Sequence, residues 1–216
     1  MVKVKVCGIT NSADALAAVE AGADALGFNF YARSPRYINP GEARRIVSEL
    51  PPSVLCVGVF VNEDGAATVA RMAKEAGMSA VQLHGDESPE YCAALGEHEV
   101  IKALRAGKDF APEDAARYPA RSILLDAYNA HARGGTGETF DWTLARRTRD
   151  MVERLYLAGG LTPENVAGAI AVVAPYAVDV CSGVELSPGR KDAARVRAFV
   201  AAVRACAKNL DAEPPV

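Results

Sequence analysis

Short apolar, β-rich runs alternate with helical periodicities along the 216-residue chain, and there are eight such runs. They are KVKVC (3–7), DALGFNF (24–30), VLCVGVF (54–60), AVQLH (80–84), EVIKAL (99–104), SILLDA (122–127), LYLAG (155–159) and AVDVC (177–181). Between them apolar residues recur at helical spacing: Ala43, Ile46, Val47, Leu50; then Val166, Ala169, Ile170, Val173; then Val196, Phe199, Val200, Val203. Thr10-Asn11-Ser12, Ser88-Pro89-Glu90 and Thr162-Pro163-Glu164 supply helix starts. Strict strand–helix alternation dictates a parallel sheet, and eight units predict its closure into a (β/α)8 TIM barrel. An open doubly wound sheet usually has fewer units. The barrel is expected as a single domain over residues 1–210, with a disordered tail, DAEPPV, over 211–216.

Alternate residues of a strand face opposite sides, so residue parity sorts the strands into two faces. One face reads Val4, Val6; Leu26, Phe28; Val81, Leu83; Ile101, Ala103; Ile123, Leu125; Val178, Val180, and is expected against the helices. The other reads Lys5, Cys7; Gly27, Asn29; Gln82, His84; Lys102, Leu104; Leu124, Asp126; Asp179, Cys181, and is expected inside. Ionisable groups inside a barrel are costly unless paired or used. Several of these fall at the C-terminal strand ends, where barrel enzymes place their chemistry.

Composition excludes several classes of partner. The net charge is −3, so no basic field exists to hold nucleic acid or an anionic membrane surface. The opening MVKVKVCGIT has no apolar signal-type core, and no apolar run reaches membrane-span length, which predicts a cytoplasmic protein. Cysteines at 7, 56, 92, 181 and 206 are odd in number and scattered, so reduced thiols are expected. No CxxC or HxxxH spacing points to zinc, and no metal or other cofactor is expected.

Two glycine-rich turns, AGGLTPEN (158–165) and CSGVELSPGRKD (181–192), follow the seventh and eighth strands. Loops in these places hold phosphate in many barrels, with backbone N–H groups at the following helix starts facing the anion. Two such turns in adjacent places point to a small phosphorylated substrate, although either alone could be only a tight βα turn. Cys7 precedes GITN at the start of the first helix; a thiol there is either a thiolate base of lowered pKa or a small buried hydrophobe. Asp126 precedes HARGGTGETFDW (131–142), a segment readable as a lid. In a closed mouth its carboxyl could serve as an acid; it could equally cap a helix or pair with Lys5 or Lys102. Arg36, in FYARSPRYI, offers a bidentate fork for a carboxylate. His84 and Asp179 are open to two readings, substrate ligand or structural hydrogen bond.

These motifs together resemble the phosphoribosylanthranilate isomerases of tryptophan biosynthesis. The resemblance runs through KVCGIT, GFNFYARSPRYI, VGVFVN, VQLHGDE, LLDAY, GGTGETFDW, LAGGLTPENV and DVCSGVELSPGRKD, in order and over essentially the whole chain short of the tail. It implies a cofactor-independent Amadori rearrangement in which the general base falls on Cys7 and the general acid on Asp126. The anthranilate carboxylate falls to Arg36. Phosphate falls to Gly159, Gly160, Ser182 and Gly183, with help from the GGTG loop at 134–137 that contains Gly135. Cys181 departs from the serine common in the family's DVSSGVE and puts a second thiol near the site. A histidine-pathway or dual-specificity aminoaldose isomerase is the nearest rival, but that type resembles an aspartate pair, and here strand one ends in Cys7. A non-catalytic phosphate-binding barrel is a second alternative, opposed by the joint presence of Cys7, Asp126 and Arg36. A metal-dependent sugar-phosphate epimerase is disfavoured by the absence of an inward His/Asp cluster. Both a monomer and a homodimer fit the sequence.

Overall fold

The computed structural model describes the chain except residues 97, 108, 127–141 and 211–216, and its side chains up to Cys206. Residues 131–141 of the expected lid (131–142), Gly135 among them, and the expected tail therefore lie outside the described residues, while Trp142 opens α6. Eight parallel strands close into one barrel: β1 (Lys3–Cys7), β2 (Ala25–Asn29), β3 (Leu55–Phe60), β4 (Ala80–Leu83), β5 (Glu99–Arg105), β6 (Ser122–Asp126), β7 (Arg154–Ala158) and β8 (Ala177–Val180). Helices α1 (Ser12–Glu20), α2 (Pro40–Ser48), α3 (Ala66–Ala76), α4 (Pro89–Ala93), α5 (Pro112–Ala115), α6 (Trp142–Arg149), α7 (Val166–Val173) and α8 (Ala193–Leu210) lie between and after them. A small ribbon, β9 (Glu185–Ser187) with β10 (Arg190–Lys191), interrupts the last crossover.

The start signals act as their chemistry requires. Asn11 accepts from the Asp14 N–H at the head of α1, and Ser88 accepts from the Tyr91 N–H at the head of α4. Thr162 opens a turn instead of the helix itself, since α7 begins four residues later at Val166.

Apolar residues form two layers. The larger lies between sheet and helices and holds Val4, Val6, Leu26, Phe28, Val81, Leu83, Ile123, Leu125, Val178 and Val180, as parity requires. The smaller fills the barrel with Ala25, Val57, Ile101, Leu124, Tyr156 and Ala177. On β5 the expected parity is inverted: Ile101 and Ala103 face the interior, and Lys102 faces the helices. Lys102 resembles an interior group because it is charged and buried, but its Nζ is 2.7 Å from both Glu87 Oε2 and the Gly85 carbonyl. A partner in the outer layer makes the outward position tolerable.

Removing one member of such a pair leaves an uncompensated buried charge. Lys102→Ala is expected to destabilise the fold by about 3–5 kcal/mol, read as a lower urea midpoint at unchanged slope. A loss below about 1 kcal/mol, the ceiling typical of exposed pairs, would contradict the buried pairing.

Candidate active site

Residues from seven strands and from the loops that follow five of them meet at the C-terminal end of the barrel around a cavity of about 250 Å³. Cys7, Arg36, His84, Asp126, Asp179, Gly159, Gly160, Ser182 and Gly183, all expected from sequence, line it, and Gln82 and Asn29 join them. Convergence of residues so far apart in the chain is the product of barrel closure.

Lys5 and Asp179 form the floor. They are register partners on β1 and β8, with Lys5 Nζ 2.9 Å from Asp179 Oδ1 and the lysine fully buried. Burial alone would lower the Lys5 pKa, but Asp179 and Cys7 outweigh it and hold the ammonium form well above its usual range. The alternative partner for Lys5, Asp126, is excluded, and Lys102 is paired elsewhere.

Cys7 ends β1 directly above Lys5. α1 starts only at Ser12, so no helix N-terminus abuts the thiol, and its pKa is raised rather than lowered. Burial is the main cause and Asp179 adds to it, while Lys5 and Lys191 pull the other way. Those two cations replace the helix end as the source of thiolate stabilisation. Cys181 is worse placed: burial and the neighbouring Cys7 push its thiol up to about 12. Of the two thiols, Cys7 is the better candidate base.

Across the cavity, Asp126 ends β6 with its Oδ2 3.5 Å from His84 Nε2, and His84 Nδ1 lies 2.8 Å from the Gln82 amide nitrogen. Both His84 and Asp126 are a quarter exposed, so each can reach a ligand.

Arg36 stands at the rim on the loop after β2. That loop is fixed locally: Ser34 Oγ accepts from the Arg36 N–H (3.1 Å) and from Asn29 Nδ2 (3.2 Å). The guanidinium donates side-on to Glu185, Nε to Oε1 at 2.9 Å and Nη2 to Oε2 at 2.6 Å. Its end-on edge, formed by Nη1 and the second hydrogen of Nη2, has the geometry for a second carboxylate. Lys191 Nζ is also 2.8 Å from Glu185 Oε1. Burial would raise the Glu185 pKa, but Arg36 and Lys191 hold it at about 2. Sequence reading missed Glu185 because its partner Arg36 is 149 residues away; the only signal was an acid inside the glycine-rich CSGVELSPGRKD turn.

The two phosphate-type turns interlock. Gly159 and Gly160 have φ of +89° and +63°, a region most side chains avoid. A Cβ at Gly183 would stand 1.9 Å from the Leu161 carbonyl oxygen, so only glycine lets the turns meet. Asn165 and Arg195 brace them: Asn165 Nδ2 donates to the Gly160 carbonyl (2.9 Å) and Arg195 Nε to the Gly183 carbonyl (2.9 Å). The helix start that follows the second turn at the cavity is a short 3₁₀ one and not that of α8. Asp192 Oδ1 already accepts from the Ala194 and Arg195 N–H groups at the head of α8, and a 3₁₀ turn over Ser182–Val184 fills the place next to the cavity.

Comparison with known proteins agrees with this geometry. The sequence pattern of the N-(5'-phosphoribosyl)anthranilate (PRA) isomerase family matches residues 4–202. The N-(5'-phosphoribosyl)anthranilate isomerase of Trichlorobacter lovleyi is 54% identical over 200 residues, covering 93% of this chain and 97% of the relative. The crystal structure of phosphoribosyl anthranilate isomerase from Thermotoga maritima superposes with a TM-score of 0.86 at 48% identity, covering 95% of this chain and all of that one. A second isomerase structure, in complex with reduced 1-(o-carboxyphenylamino)-1-deoxyribulose 5-phosphate, matches with a TM-score of 0.84 at 47% identity over 95% of this chain and 100% of that one. By sequence, fold and the composition of its site, the chain belongs to the N-(5'-phosphoribosyl)anthranilate isomerase family.

Proposed function

We propose that the chain rearranges N-(5-phosphoribosyl)anthranilate to 1-(2-carboxyphenylamino)-1-deoxyribulose 5-phosphate with Cys7 as general base and Asp126 as general acid. The observation that carries these roles is that a thiol from β1 and a carboxyl from β6 enter one cavity from different sides, with an arginine at its rim. The reaction needs an acid and a base acting on opposite parts of one small sugar. Asp126 gives a proton to the ring oxygen as the bond from that oxygen to C1′ breaks and the aniline nitrogen becomes an imine. The imine acidifies the C2′ hydrogen, and the Cys7 thiolate removes it. The enolamine becomes the ketone when C1′ takes a proton and the 2′-hydroxyl loses one, so the C2′ and O2′ hydrogens end on C1′ and the ring oxygen. No hydrogen is lost overall, and both groups return to their starting states.

Arg36 takes the anthranilate carboxylate on its end-on edge while Glu185 keeps its side-on edge. The turns at Gly159-Gly160 and Ser182-Gly183 take the phosphate, and His84 and Asp179 complete the wall. The GGTG loop at 134–137 is assigned to the phosphate on resemblance alone. We further infer a cytoplasmic enzyme working as a monomer or homodimer. Among the described residues no helix is long and apolar enough to cross a membrane, and monomers of the T. maritima relative are described as generated from a dimeric enzyme.

Cys7→Ala and Asp126→Asn are each expected to lower kcat by about 10²–10⁴-fold, the usual worth of positioned proton transfer. Near-normal kcat in Cys7→Ala would move the base to another group, and near-normal kcat in Asp126→Asn would do the same for the acid. Because burial raises the Cys7 thiol above its ordinary 9.0, its alkylation by iodoacetamide, followed by peptide mass mapping, should keep accelerating above that pH. Lys191→Met removes a cation that favours the thiolate and should move the inflection higher still. A downward shift would show that Lys191 does not act on Cys7. For Arg36→Ala, loss of a charge-assisted bond worth on the order of 1.5–3 kcal/mol predicts a fall of roughly 10- to 150-fold in kcat/KM. Arg36→Lys should recover only part, since an ammonium lacks the planar fork. The control is a substrate without the carboxylate, which should lose little further in Arg36→Ala; a large additional loss would place Arg36 elsewhere on the substrate.

A further inference from the structure

Gln82 sits inside the barrel on β4, fully buried and in the cavity wall. Its register neighbours, Val59 on β3 and Ile101 on β5, are apolar and offer its side chain no hydrogen bond. Its one side-chain partner among the described residues is His84, two residues along the same inward face, whose Nδ1 is 2.8 Å from the amide nitrogen. An amide NH₂ can only donate, so this Nδ1 carries a lone pair and the ring proton resides on Nε2. That Nε2 is the atom 3.5 Å from Asp126 Oδ2. The other end of the amide, Oε1, is buried with no hydrogen-bond partner among the described residues. Turning the amide over would bury an unpaired NH₂ in its place, and an under-used carbonyl is the better tolerated of the two.

We propose that Gln82 is a positioning residue: its amide holds His84 as the Nε2–H tautomer, and His84 in turn presents a donor to Oδ2 of Asp126. The inference rests on the reading of Asp126 as the acid. With Oδ2 facing a donor, that oxygen has no place for the carboxyl's own proton, which therefore sits on Oδ1. When that proton passes to the ring oxygen, Asp126 becomes a carboxylate, and an N–H on the ring nitrogen 3.5 Å away needs only a short approach to stabilise the new charge. The opposite tautomer would turn a lone pair toward that charge.

The direct test is long-range ¹H–¹⁵N correlation of His84 in the wild-type protein, assigned by its loss in His84→Asn. A protonated Nε2 and an unprotonated Nδ1 are expected; an Nδ1–H tautomer overturns the inference. Gln82→Met keeps the length and removes the donor. It should give mixed tautomers and a five- to tenfold lower kcat, about the worth of one hydrogen bond, with KM within about twofold because no substrate contact is lost. Wild-type kcat or an unchanged tautomer in Gln82→Met overturns it as well. If Asp126→Asn stays active, the acid reading fails and this inference with it. If Asp126 is essential and the tautomer is wrong, only this inference fails.

Discussion

The ion pair between Lys5 and Asp179 closes the seam between the first and last strands of the barrel, and the site is built on top of it. Taking two charges out of water costs several kcal/mol for each ion unless geometry and further bonds offset it. Here the two groups are register partners in direct contact, and Lys5 meets the thiol of Cys7 on its other side. A pair of well-packed apolar residues would join the strands at least as tightly. What the pair adds is a fixed positive charge directly beneath a thiol that burial pushes up, offsetting part of that rise.

From that floor, charges of alternating sign follow the same edge of the barrel outward. Asp179 holds Lys5, Lys5 and Lys191 flank Cys7, Lys191 holds Glu185, and Glu185 holds Arg36. Each cation therefore has a carboxylate that fixes its position, and Arg36 among them lines the cavity. A substrate with a carboxylate at one end and a phosphate at the other suits such a wall. Arg36 lies at one side and the interlocked glycine turns at the other, with the thiol between. The opposite wall carries Asp126, His84 and Gln82.

Much of this is legible in the chain. Strand–helix alternation carries the barrel, and strand ends fall within a residue or two of their expected places because β-rich runs are bounded by turn residues. Parity places Cys7, Asp126, His84 and Asp179 inside correctly, since a polar residue interrupting an apolar pattern at a strand end has to be paired or used, and the barrel mouth allows both. It fails on β5, where Lys102 is charged and buried but has its partner in the outer layer; polarity alone cannot tell which layer supplies a counter-ion. Glu185, Asn165 and Arg195 escape notice for a related reason. They act by gripping loops or side chains brought near by closure, and no local periodicity records such a partner. The Cys7 environment differs in kind from the expectation: the helix N-terminus is displaced to Ser12, and two lysines take over the role assigned to it.

If the seam pair sets the state of the thiol, removing its anion must release the cation toward Cys7. Asp179 disfavours the thiolate, and Lys5 favours it. The pH dependence of Cys7 alkylation in folded Asp179→Asn, compared with the wild type, tests this. The account predicts an inflection at lower pH in the variant, because a negative neighbour is gone and Lys5 is left to pair with the thiolate. An inflection that stays in place or moves upward would contradict it.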